Sequence, residues 1–317
     1  MAAAGTAFAQ STATISGTIS VGVLDSGAAG AKAGVATLGG GANAINIVTA
    51  EDLGGGLRGG FDSQIRFNAA TGDTNSRGTG DALFHGANVY LGGGFGTVRM
   101  GKIIEASNCA FDPWACTGGA GLSAGNTTGG LIAAQTQAQS VSYTTPTING
   151  FSASYQATVS ARNNERSVVN LGYNQGPLSV QFLQSKNSLN VAPNGTTLTT
   201  ALLTSNPITD AKAQGTSIGA SYNFGLARLS VFNAKTKNAA GATTVDLTGI
   251  GATVPMGAYT ILAGYTKDKK AASTADTRLA LGANYALSKR TTLGADVFKQ
   301  DQVGGSTGFV IRARHTF

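Results

Sequence analysis

The sequence predicts an all-β fold, a closed antiparallel transmembrane barrel of sixteen strands, and three observations carry that expectation. Segments of about ten residues alternate between apolar and polar side chains along the chain, the period of a strand with two unlike faces. The connections between them alternate between short and long. No run of about 18 apolar residues exists that could cross a membrane as a helix. Charged residues are only 12% and Gly reaches 46 while Pro is only 6, which excludes a charge-rich disordered chain. A mean hydropathy of +0.05 suits a barrel, because lipid-facing and water-facing residues cancel in the average.

The elements follow in order. Residues 1–9, with the small-x-small pattern Ala7-Phe8-Ala9, read as the tail of a secretory signal. That places the mature start at Gln10 and one barrel domain over 10–317. The first strand, residues 12–24, puts Ala13, Ile15, Ile19, Val21 and Val23 on one face and Thr14, Ser16, Thr18 and Ser20 on the other. Residues 57–67 repeat this, with Leu57, Phe61, Ile65 and Phe67 against Arg58, Asp62, Gln64 and Arg66. In the terminal segment, Phe309, Ile311, Ala313, His315 and Phe317 face away from Arg312 and Arg314.

Between these segments, short connections fall at 51–56, 92–96, 146–150, 176–177, 223–225, 255–257 and 288–290. Long ones fall at 26–43, 71–80, 102–137, 185–211 and 267–276. Short turns at one end and long loops at the other describe an outer-membrane barrel. Aromatics beside the short turns (Tyr90, Phe95, Phe151, Tyr222, Phe224, Tyr259 and Tyr285) fit an interfacial girdle. Counting strands between the connections gives sixteen, an even number that encloses a lumen wide enough for water. The last strand then closes against the first, so no edge is left unpaired and the arginines face a wet interior. A soluble Gly-rich β-sandwich would share the alternation; the signal remnant and the loop asymmetry disfavour it.

The chemistry excluded is broad. The net charge of +7 is scattered, its densest cluster being Lys267, Lys269 and Lys270, and no nucleic-acid motif accompanies it. His85 and His315 are the only histidines, no cysteine spacing suits zinc, and no Ser-His-Asp set is arguable, so neither a metal, a cofactor nor a catalytic residue is expected. The glycines at 54–56 and 92–94 are turn chemistry, since no helix follows to complete a phosphate site. Export makes an oxidising compartment the expectation, where Cys109 and Cys116 form a disulfide across the turn residues Asp112-Pro113.

EDLGGGL at 51–57, FGTVRMGK at 95–102, SVSYTTPTINGFSASY at 140–155, YALSKRT at 285–291 and RARHTF at 312–317 closely resemble the Gram-negative general porins of the beta- and gammaproteobacterial type. They occur in family order and cover the chain from about Thr12 to Phe317. The resemblance implies a homotrimer in the bacterial outer membrane, among outer-membrane lipid and lipopolysaccharide, that passes small hydrophilic solutes and inorganic ions. It also implies a third external loop folded into the lumen and a C-terminal Phe317 read by the barrel-assembly machinery. On the same ground, the pore is constricted where loop carboxylates face basic wall residues, and the field between them selects by charge. Here that loop is 102–137, its acids are Glu105 and Asp112, and the wall candidates by lumen parity are Arg58, Arg66, His85 and Arg99.

The chain departs from the family at Ser16 and Ser20, where the first strand usually carries Tyr and Asp. It departs again at His85 and Ser142, which occupy arginine positions. Few loop acids facing these arginines predict a weak anion preference. An outer-membrane barrel enzyme or adhesin, working through its external loops, is the alternative; no convergent acid, base or nucleophile cluster supports it.

Overall fold

The computed structural model describes residues 11–38, 43–73, 83–104, 106–115, 136–159, 164–189, 214–238, 240–270, 277–301 and 306–317. The proposed signal remnant, Glu105 and Cys116 lie outside the described residues. Among the described residues, seventeen strand segments follow one another. They are β1 (Thr12–Asp25), β2 (Gly34–Thr37), β3 (Ala44–Gly54), β4 (Leu57–Arg66), β5 (Phe84–Gly93), β6 (Gly96–Ile104), β7 (Thr136–Thr144), β8 (Phe151–Thr158) and β9 (Asn164–Gln175). Then come β10 (Leu178–Leu189), β11 (Gln214–Asn223), β12 (Arg228–Lys237), β13 (Thr243–Met256), β14 (Tyr259–Asp268), β15 (Thr277–Ala286), β16 (Thr291–Gln300) and β17 (Ser306–Thr316). Neighbouring staves pair antiparallel, and β17 returns to β1, from Thr18 opposite Thr316 to Asp25 opposite Phe309. The sheet is closed through this pairing, and among the described residues only the short β2, paired with β1 alone, has a strand partner on one side.

Seventeen segments make sixteen staves because β2 and β3 lie along the same edge of β1. β2 pairs with Val21–Leu24 and β3 with Thr12–Thr18. At the break, the backbone N–H of Leu38 donates to Ser20 O at 3.1 Å, and the Asn43 side-chain amide also donates there, at 3.1 Å. Asn43 Oδ1 in turn accepts the Ser20 N–H. A fully buried side-chain amide thus replaces a missing peptide group in the ladder.

Alternation sorts the two faces as the sequence predicts. In β17, Val310 is 0% exposed while its neighbour Ile311 is 60% exposed, although the two are chemically alike. Ile15, Val89, Ile218, Ile250, Leu279 and Val297 form part of the outward apolar band. Outward ring pairs occur beside short turns, with centroids 4.5 Å apart for Phe151–Tyr173, 4.6 Å for Tyr222–Phe224 and 4.8 Å for Tyr259–Tyr285. Tyr90 departs from the girdle expectation. It pairs with Gly60 and Arg99 on the lumen side, its hydroxyl donates to Thr49 O at 2.8 Å, and the Arg99 guanidinium lies 5.7 Å from its ring centroid. Proximity to a turn does not fix parity.

One turn and one close approach need glycine. The β3–β4 turn carries Gly54, Gly55 and Gly56 at φ of 79°, 60° and 78°, a left-handed run that side chains disfavour. At the closing seam, Gly17 N donates to Phe317 O at 2.9 Å and Phe317 N to Gly17 O at 3.1 Å. The Phe317 ring lies over Gly17, where a Cβ would overlap it.

The interior is not uniformly wet. Phe232, Ala234, Val245, Leu247, Leu262, Ala280, Phe298 and Val310 are buried on the lumen side of β12–β17, together with Leu38. These residues have the parity of polar positions, and they are covered by a loop.

Candidate functional site

The covering comes from the segment after β6. Asn108, the 3-10 turn Cys109–Phe111, Asp112, Pro113 and Trp114 lie inside the barrel against β11–β17. The loop makes its own compact turn: Phe111 N donates to Asn108 O at 3.0 Å, Ala115 N to Asp112 O at 2.7 Å and Trp114 N to the Asp112 carboxylate at 3.0 Å. Such a turn can be buried because its backbone groups find partners.

The wall then receives it in sequence. The Asn108 amide donates to the Ser217 hydroxyl on β11. Arg228, at the start of β12, donates to Ala110 O at 2.8 Å and is itself held by Ser221 Oγ at 2.9 Å. The Ser230 hydroxyl donates to Phe111 O at 2.6 Å. Wall glycines open the space: a Cβ at Gly219 would overlap the Phe111 ring, and one at Gly251 would press on Pro113. At the far end, the indole N–H of Trp114 donates to Asp296 Oδ1 on β16 at 3.0 Å. Asp296 forms an ion pair with Arg312 of β17, and Arg312 also donates to Asn284 Oδ1 at 2.6 Å. Gly282 leaves room for the Asp296 carboxylate. Phe111 and Trp114 are 3% and 4% exposed, so the loop is part of the barrel's only described apolar core.

Between the loop tip and the wall of β1 and β14–β17 lies a cavity of about 300 Å³. Its lining includes Pro113, Trp114 and Leu262 together with Lys289, Arg290, Arg312 and Arg314, and no carboxylate among the described residues. Lys289 and Arg290 belong to the short turn between β15 and β16, which is tied to the last strand by Thr316 N donating to Arg290 O at 2.9 Å. Arg314 projects from β17 opposite Ser20 and Thr292.

The residues singled out from the sequence occupy several places. Arg99 faces the lumen on β6, over Tyr90 and beside Ser142 on β7. Arg58 sits opposite Asp52, close to the 54–56 turn and so near the short-turn rim. Arg66, at the other end of β4, donates to Gln64 Oε1 at 2.7 Å, and Gln64 donates to Asn46 Oδ1 at 2.8 Å. His85 is the extra residue of a bulge: Gln64 pairs with Gly86 and Ile65 with Phe84, so simple parity fails there. Asp112 is buried, 3% exposed, and serves its own turn, within electrostatic reach of Arg278.

All four wall candidates are on β4–β6, whereas the contacts of 106–115 run to β11–β17. Arg228, Asp296, Lys289 and Arg290 are not among the sequence candidates, and Arg312 and Arg314, expected to face the lumen, are not among the candidates for the constriction. The available signal was the lumen-parity glycines Gly219, Gly251 and Gly282 on alternate staves, which mark where something approaches closely. Among the described residues, no group of three or more His, Cys, Asp or Glu could hold a metal.

Comparisons with known proteins agree with this geometry. Residues 1–305 match the Gram-negative porin family. Outer membrane porin protein 32 of Delftia acidovorans is 29% identical over 320 residues, covering 92% of this chain and 85% of that protein. Among solved structures, the anion-selective porin from Comamonas acidovorans superposes with a TM-score of 0.77 at 24% identity, covering 97% of this chain and all of that one. OmpT of Vibrio cholerae, in a form lacking loop L8, gives 0.67 at 17% identity, covering 97% and 99%. With a family match along nearly its whole length and a closed barrel of sixteen staves, the chain belongs to the Gram-negative porin family of outer-membrane proteins.

Proposed function

We propose that the protein is a passive diffusion channel, not an enzyme, that admits small hydrophilic solutes and inorganic ions with a weak preference for anions. One observation carries the reading: among the described residues, the passage beside the docked loop is lined by Lys289, Arg290, Arg312 and Arg314 without a lining carboxylate. The nearby acids are engaged, Asp112 in its own turn and Asp296 with Arg312. Low-dielectric walls focus such a field across a narrow aqueous path and raise the local anion concentration. The anion selectivity in the name of the Comamonas acidovorans relative points the same way.

In this reading Arg58 and Arg99 extend the basic lining on the opposite wall, with Arg66 and His85 toward the long-loop end. Glu105 and Asp112 are the acids of the constriction loop. A Cys109–Cys116 disulfide would stiffen the loop beside its docked turn; its support is that Cys109 is not a free thiol and that the chain has one other cysteine. The working unit is a homotrimer embedded in outer-membrane lipid and lipopolysaccharide. Phe317, seated at the closing seam, is the signal for the barrel-assembly machinery.

Reversal potential in a potassium chloride gradient tests the reading. The expected sign is chloride-preferring, with the preference shrinking as the Debye length falls from about 10 Å at 0.1 M to about 3 Å at 1 M. A cation preference in dilute salt would overturn it.

A further inference from the structure

We propose that the cavity beside the loop tip is a retention site for organic anions with an apolar body, namely monocarboxylates carrying an aromatic or branched aliphatic group. The inference rests on the channel reading and adds a substrate class to it. The volume, about 300 Å³, is at the lower end of small-molecule sites and suits a ring with one carboxylate. Its lining is divided. Leu262, Pro113 and Trp114 supply an apolar side, while Arg314, Lys289 and Arg290 supply a cationic one.

The cationic groups are not equivalent. Arg312 already pairs with Asp296 and Asn284, and so holds the wall together. Arg314, from β17, and the turn pair Lys289 and Arg290 are the cations available to an incoming carboxylate. An arginine fork and a nearby ammonium match a carboxylate well. The apolar side is also preorganised, because the Trp114 N–H bond to Asp296 fixes the indole and Pro113 is seated over Gly251. A ligand therefore does not have to order the wall it meets.

Chloride would respond to charge alone, and acetate would add one methyl group. A ring placed against the loop adds roughly 50 Å² of apolar contact, which corresponds to about tenfold in affinity. The site would remain weak enough to release its occupant, as conduction requires. Its place on the short-turn side of the loop means that an anion meets it beside the docked tip and not among the long external loops.

Single-channel recording of the purified full chain in potassium chloride, titrated with potassium benzoate, potassium acetate or benzyl alcohol, tests the proposal. Benzoate should reduce chloride conductance with saturation, at about tenfold lower concentration than acetate, and neutral benzyl alcohol should have no such effect. Arg314→Ser should raise the benzoate concentration required several-fold relative to that variant's own chloride current; Lys289→Ser is the second variant if the first assembles poorly. Equal potency of benzoate and acetate would overturn the proposal, as would benzoate block unchanged in both variants. A chain with no chloride current would overturn the channel reading itself, and this inference with it.

Discussion

The two walls of the lumen are built differently. On β4–β8 the inward positions carry Asp62, Gln64, Arg99, Ser142 and Gln156, a polar surface that fits the usual rule for a water-filled barrel. On β11–β17 many positions of the same parity are Gly, Ala, Phe, Leu or Val, interleaved with about as many polar ones such as Ser217, Ser230, Thr266 and Asp296. The first wall is shaped for water and the second for a folded peptide. The inward side of a barrel strand is therefore defined by what occupies the lumen at that height. Where the loop from β6 lies, apolar burial and hydrogen bonds to loop carbonyls replace hydration.

The largest expected effect tests the second wall. Asp296→Ala removes the acceptor of Trp114 and the partner of Arg312 at once. Losing one member of a buried pair costs about 3–5 kcal/mol. Thermal unfolding followed by circular dichroism should show that loss, with noisier single-channel currents from the freed tip. A variant as stable and quiet as the parent would mean that the latch does not hold the loop.

Next comes the inside–outside contrast on the first wall. Phe61→Arg places a charge in the apolar band and should cost about 2–4 kcal/mol if it lies near the midplane. Gln64→Arg faces the wet side and should assemble normally. Equal refolding yields in lipid would show the β4 register to be wrong.

A smaller change, Gly219→Val, fills the notch beneath Phe111. Overpacking of this kind costs about 1–3 kcal/mol, or is relieved if the loop leaves its seat. Conductance should then rise while the barrel remains folded. Unchanged conductance together with unchanged stability would break the picture of a glycine-lined seat.

The smallest effects separate the walls by charge. Arg314→Ser should lower the chloride-to-potassium permeability ratio by about twofold in dilute salt, and Arg58→Ser, at the rim opposite Asp52, by less. The reverse order, measured by reversal potential, would move the selecting field to the first wall.

Most of the barrel was legible in the sequence because its determinants are local. A two-residue period and turn chemistry suffice to place Ile311 outward and Val310 inward, and they identify the Gly54–Gly56 turn. Local signals failed where the ladder is irregular. His85 cannot be assigned by parity because a bulge inserts it, and Tyr90 turns inward although a turn is close. The docking wall was hidden for a different reason. Trp114 and Asp296 are 182 positions apart, and nothing near either residue announces the other. Arg312 and Arg314 were recognised as inward-facing, but their place beside the loop tip depends on which stretch of wall the loop reaches. Alternation does not carry that information.

The splice in the second stave has a further consequence. Thr18 of β1 faces Ala44, while Val21, three residues along, faces Thr37, so the partner strand advances by seven residues where an uninterrupted ladder would use three. The chain therefore accommodates four additional residues at that point. Each residue of β2 and β3 shares a face with the β1 residue it opposes, so the pairing with β1 sets which side faces lipid and which faces lumen, and Asn43 mends the ladder across the gap. A residue added between the two segments therefore need not shift either of them. An insertion scan across the splice should read as tolerance, with the side-chain amide of Asn43 acting as the joint that lets the first external loop change length without disturbing the remaining staves.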